Sequence, residues 1–510
     1  MNIFGRSRFT QASQTSASRL PSWQGALALA LSNVTDRQVA ADDAARALIE
    51  LPLDKLLFLD QQLRKATGYA ELGRQLQAQL DAPDDGALRE VVEAFYFVAS
   101  CNHSGHLRQR ALENFGRYPG PLAMAAALLR CDDWVEPVRH KAQHLLLRLI
   151  AVGHAKQLLQ STDLLVRLRR HQRFQAYAWP QLIEPAIATA DLAEARWQAL
   201  GIGTPAARVF SYELIARVDP ERIVDAATLA IMDPDLSVAR WALSRCAQWP
   251  DDAHSWPILL AAARHPLSAI RTDALRKMAD ADVARARQPL QQALFDPGYA
   301  PRRTAAFLLE YHFQADPLTC WRAELDETQS RHRRAAVLAL SERAQPDDLA
   351  RLRPWLTHPT AAVRAAVLAG LCRTQAADQH ELLIKALRDP ACSVIRQAIK
   401  LCADEDLLTE QRLNELYCSA DQPRVRILFI RATRELDKWQ RLSLLLAWLA
   451  HAEEDAREPL LAEVGHWQRR DSRRFNRLDT TTREQLQAQL ATAGESLYCQ
   501  TELECAVRYG

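Results

Sequence analysis

The chain has 510 residues, 48% hydrophobic and 25% charged, the proportions of a folded globular protein rather than a disordered one. Its 64 Lys and Arg nearly cancel its 62 Asp and Glu, so a bulk basic surface for nucleic acid is not indicated and only local patches keep that reading open. With 16 Gly and an Ala- and Leu-rich remainder, the composition favours helices over a loop-rich or all-β chain.

The ten Cys are scattered, none in a C-x-x-C pair, which points to inert thiols in a reducing, cytoplasmic compartment. No apolar run approaches the ~18–20 residues of a membrane span. The amino terminus has no continuous apolar core of the signal-peptide kind.

In chain order, residues 1–20 are Ser-, Thr- and Gln-rich with Arg6, Arg8 and Arg19 and no acid, and read as a disordered tail. Residues 21–99 show helical spacing, as in Leu53, Leu56, Leu57 and Leu59, broken at Asp81–Gly86. They carry no repeat landmark and read as a helical amino-terminal cap.

From there an Arg near a helix start recurs at Arg108, Arg139, Arg173, Arg208, Arg240, Arg271, Arg302, Arg333, Arg364, Arg396, Arg426 and Arg457, at intervals of 30 to 35 residues. Within one period, Leu383, Ala386 and Leu387 lead to Asp389-Pro390, where the Pro ends a first helix. Val394, Ala398 and Ile399 then mark the apolar side of a second. Such a pair cannot bury its apolar faces alone, so neighbours must stack. The small residue on the second helix (Ala111, Ala142, Ala274, Ala305, Ala336) lets adjacent helices approach. Residues 100–465 are thus a repeat array. Residues 466–510, with a basic run from Arg469 to Arg477 and a polar helix from Thr480 to Leu490, are a carboxy-terminal cap and tail.

An acidic or polar residue stands six positions before several of these arginines: Asn102, Asp133 and Asp296. With the pairs Val138-Arg139, Ile270-Arg271, Val363-Arg364 and Val425-Arg426, the unit resembles the HEAT repeat, and its short period is similar to the bacterial phycobilisome-lyase-type kind. The resemblance implies an all-α fold, a right-handed α-solenoid of about twelve two-helix repeats with divergent caps. It also implies a ladder of acid and Arg between units, drawn from Asp133, Arg139, Arg271, Asp296, Arg302, Arg333, Arg364 and Arg426. His265, His358 and Ala420 replace the acid, so the ladder is expected to be interrupted there.

Arg303 and Arg334 each follow a ladder Arg by one and should point outward in adjacent units; with Arg331 they form a candidate cationic patch for carboxylates or phosphates. His103, His106, His140 and His144 lie near Cys101, but without C-x-x-C or H-E-x-x-H no metal is expected. Trp134, Trp241, Trp321, Trp355 and Trp439 read as packing elements. No phosphate-binding, dinucleotide or nucleophile-elbow motif occurs, and no cofactor is implied. The leading reading is a non-enzymatic scaffold for a protein partner. The alternatives are a nucleic-acid-binding or DNA-glycosylase-like solenoid and a bilin or other cofactor lyase.

Overall fold

The computed structural model describes Leu48 and residues 53–65, 89–115, 120–246, 248–249, 252–327, 329–472, 476–493 and 500–509. The expected tail at 1–20, the break at Asp81–Gly86, much of the amino-terminal cap and Arg473–Phe475 lie outside them. The fold is all-α: among the described residues there is no strand, and no helix is long and apolar enough to cross a membrane. Two compact units divide after Lys277.

In the unit from Met278 the helices pack in pairs, and from Arg333–Glu342 onward each second helix also packs on the second helix of the following pair. Arg333–Glu342 packs on Ala361–Arg373, that helix on Cys392–Asp404, and Cys392–Asp404 on Pro423–Ala432. Each first helix packs on its own second helix, as Gln379–Ala386 does against Cys392–Asp404. This is the stacking of an α-solenoid of the HEAT kind. The unit up to Lys277 shows it too: Gly105–Phe115 packs on Glu136–Leu149, and Pro205–Val218 on Leu236–Cys246.

Small residues make this approach possible. Ala111, Ala142, Ala274, Ala305 and Ala336 are all fully buried. At Gly370 a Cβ would lie 2.9 Å from Ser341 Cα and 3.0 Å from Ser341 O, so nothing larger fits between those two helices.

The recurrent Arg has two tasks. Its Nη1 closes its own interhelical turn: Arg302 donates to Asp296 O (2.8 Å) and Pro297 O (3.1 Å), and Arg364 to His358 O (2.8 Å) and Pro359 O (3.1 Å). Arg139 and Arg271 do the same to Asp133 O (2.8 Å) and His265 O (2.7 Å). The opposite edge grips the next repeat. Arg108–Asp133, Arg208–Asp233 and Arg364–Asp389 are two-pronged pairs, each 25 residues apart, at 2.6 to 2.9 Å.

The residue six or seven before the Arg also shapes the turn, by accepting the backbone N–H two residues on. Asp133 takes it from Val135 (3.0 Å), Asp296 from Gly298 (2.6 Å) and Asp389 from Ala391 (2.8 Å). His265 and His358 keep this task through Nδ1, which accepts from Leu267 and Thr360 at 3.0 Å. Imidazole is a good acceptor but no anion, so those units keep the turn and lose the carboxylate. Arg240 turns to Asp273 (3.0 Å) instead, and Arg333 to Leu325 O (3.3 Å) and the face of Trp355. Ala420 offers only its carbonyl, to Arg426 Nε at 2.9 Å, and Arg426 finds Glu453 at 2.6 Å.

The structure departs from a uniform array between Ile150 and Gly201. Wide π-type turns at Ile150–His154 and Phe174–Ile183 alternate with short helical pieces. Gly153 sits at φ 89°, outside helical space, and Pro180 has no N–H to donate to its turn. Arg173, just before the second π-type run, is exposed and no rung. Its place is taken by Arg196, whose Nε and Nη2 hold both oxygens of Asp219 at 2.8 and 2.6 Å.

At the carboxy-terminal end, Glu454–Arg470 runs as one helix through the boundary expected near 466. Thr480–Ala493 packs on Lys438–Ala450 and buries Leu486 and Leu490. Buried Arg441 binds both Glu463 and Asp471 nearby.

Candidate functional site

The helix Tyr299–Phe313 carries the residues singled out for binding, and its two faces differ sharply. Arg302, Ala305, Ala306 and Leu309 are buried. The four-residue steps Tyr299, Arg303, Phe307 and Tyr311 run along the other side. Tyr299 is 54% exposed, Phe307 59% and Tyr311 72%, the rings of the last two stacked at 5.9 Å. Three large aromatics in water on one helix are unusual, because each forgoes about 1.5–3 kcal/mol of burial.

The stack also opens here. Backbone contact between Tyr299–Phe313 and the next second helix, Arg333–Glu342, is sparse, whereas the following pairs pack closely. Side chains bridge the gap: buried Arg302 reaches Glu342, and Arg343 grips both oxygens of Glu310 at 2.5 and 3.2 Å. Between them lies a cleft of about 350 Å³ walled by Tyr299, Arg303, Phe307, Glu310, Glu342 and Arg343, with Trp321 at its base. Trp321 is fixed by its Nε1–H to Leu294 O (3.1 Å).

The position 25 residues after Arg302, where Arg108, Arg208 and Arg364 find an aspartate, is exposed Glu327, and Glu342 supplies the carboxylate from the second helix instead. Burial pushes the Glu342 carboxyl up, and the charges of Arg302 and Arg373 only partly reverse this. The Glu310 hydrogen bond holds the Arg343 guanidinium above its ordinary value.

Of the three arginines expected to form one patch, Arg303 alone walls the cleft, with Nη1 3.5 Å from Tyr299 Oη. Arg331 lies on the turn, its Nε against His332 Nε2 at 3.1 Å, and Arg334 is exposed in the first turn of its helix. Arg343, not weighed from sequence, is the second cation of the cleft. Phe307 and Tyr311 were also missed, although the signal was present: once Arg303 is placed outward, four-residue steps put both rings beside it.

Trp241, Trp321 and Trp439 are buried and Trp355 lies under Arg333, but Trp134 is 65% exposed, its ring 5.9 Å from the Arg108 guanidinium. It sits on a tight interhelical turn, not between helices. His140 approaches only Glu136, at 3.9 Å, and among the described residues no group of three or more His, Cys, Asp or Glu is placed to hold a metal ion.

The fold defines a helical-repeat protein, an α-solenoid of HEAT-like pairs. No protein-family model and no curated protein matches the chain. Among solved structures it is similar to importin beta at 12% identity and a TM-score of 0.40, over 98% of this chain and 76% of that one. It is also similar to a structure of microtubule polymerases with TOG domain arrays, at 10% identity and a TM-score of 0.20, over 80% and 97%. A third is YibA of E. coli, at 16% identity and a TM-score of 0.24, over 54% and 92%.

Proposed function

We propose that this chain is a non-enzymatic scaffold of the short-period bacterial HEAT kind, working in the cytoplasm, and that it docks a protein partner on the face Tyr299, Arg303, Phe307 and Tyr311. The exposed aromatic ridge beside an open cleft carries the reading. Aromatic rings and Arg are the residues that dominate binding energy at protein interfaces, because they bury large areas at small entropic cost. Arg303 forms no ion pair among the described residues, so an acidic residue flanked by apolar ones is the chemistry this face would accept. The ridge is short and its cations few, which fits a peptide segment better than the run of phosphates in a nucleic-acid duplex.

The test is affinity capture from host extract with nuclease treatment, comparing the natural chain with the double variant Phe307→Asp, Tyr311→Asp. A discrete protein held by the first and lost from the second, at equal thermal stability, supports the proposal. Retention by both, or capture that nuclease abolishes, contradicts it and favours the nucleic-acid alternative.

A further inference from the structure

We infer that the irregular segment of the first unit builds a binding site for a monocarboxylate carried on an apolar body. An open hollow of about 700 Å³ lies where the paired-helix scheme fails. Its walls come from the turn before the π-type run Phe174–Ile183 and from the helix Pro205–Val218. π-type turns concentrate at functional sites, since the extra residue re-aims side chains at a cost in regular bonding.

Arg169 is the decisive side chain. Its guanidinium carbon lies 4.3 Å from the ring centre of Trp179 and 5.3 Å from that of Phe210, two rings set at 70° to each other. Such cation–π contact holds the charge in place without spending an N–H donor on a hydrogen bond. Arg108, Arg196 and Arg208 in the same unit each spend theirs on both oxygens of an Asp. Arg169 does not: among the described residues its guanidinium makes no hydrogen bond or ion pair, and its Nε–H is buried. Exposed Arg170 lines the same hollow. A carboxylate is the planar acceptor that matches such a fork.

Val166, Pro205, Ala206, Val209 and Phe210 supply an apolar wall beside the arginines, so the carboxylate should carry a hydrocarbon or aromatic body. The acids nearby limit the ligand's charge. Glu213 lines the hollow, and Asp163 and Asp235 bind its lining residues Thr204 and Ser237. Within the lining Arg169 and Arg170 outweigh Glu213 by one charge, which suits a single negative charge, and the further acids behind Thr204 and Ser237 repel a polyphosphate.

Calorimetric titration of the full chain with 4-phenylbutyrate and with its amide tests this, and the free-acid and amide forms of N-acetyl-Ala-Phe ask whether the carboxylate ends a peptide. The inference expects saturable one-to-one binding of at least one acid, at least tenfold weaker for its amide. The tighter acid names the source. Arg169→Gln should weaken the acid tenfold or more. Because Arg169 also packs on two rings, exposed Arg170→Gln is the second variant, with severalfold weaker binding and an unchanged melting temperature. No saturable binding of either acid, equal binding of acid and amide, or natural affinity in both variants would overturn it.

Discussion

Arg108 donates Nε and Nη2 to the two oxygens of Asp133, both at 2.8 Å, while its Nη1 closes its own turn on Asn102 O and His103 O at 2.9 Å. One side chain therefore ties a repeat internally and to its neighbour, with both partners wholly buried. Losing it leaves the buried Asp133 carboxylate without its two-pronged partner. Arg108→Ala should cost ~3–5 kcal/mol, against about ±0.5 for exposed Arg303→Ala. Chemical denaturation of the two variants compares them directly; equal midpoints would contradict the ladder.

The Asp389 carboxyl gives this ladder a pH dependence. Burial pushes it up, but the Arg364 hydrogen bond, the Ala391 N–H and the Arg364 charge together hold it below the ordinary 3.8. A carboxylate depressed in the folded state adds stability above its unfolded value and loses it as pH falls through the folded one. Raised Glu342 runs the other way, its share lost as pH rises. Thermal midpoints measured from about pH 5 downward should fall in the natural chain and fall less steeply in Asp389→Asn.

Gly370→Ala should destabilise by ~1–3 kcal/mol, because the added methyl would press on Ser341 backbone between two closely packed helices. Denaturant melts of this variant measure the loss, and an unchanged midpoint would mean that these helices separate without cost.

Gln314 ends the helix Tyr299–Phe313 in the left-handed region, φ 53°, with its N–H on Glu310 O and that of Ala315 on Leu309 O. A side chain there costs about 1 kcal/mol that glycine avoids. Gln314→Gly should therefore raise the melting temperature slightly without altering binding at Phe307 and Tyr311.

The repeat was legible because each unit needs one Arg at one helical position and a turn-forming acceptor six residues before it, and both survive in sequence as a period. What could not be read was the choice of partner. Arg302 binds Glu342 rather than an Asp because its neighbouring helices diverge, a tertiary fact with no local signal. Arg173 was placed by spacing alone, and the inserted π-type turns moved the rung to Arg196. Trp134 was assigned to packing by residue type, whereas its turn holds it in solvent. Phe307 and Tyr311 hid for the opposite reason: apolar residues lie on both sides of their helix, so hydrophobic pattern alone does not mark the exposed face.

A photo-crosslinking amino acid placed at Tyr311 in living host cells, with exposed Glu381 as the control position, reports whether a protein partner occupies the face of Tyr299–Phe313. A discrete, nuclease-resistant protein adduct is expected from position 311, absent from 381 and suppressed by Arg303→Glu. No adduct at 311, or one that disappears on nuclease treatment, would contradict it.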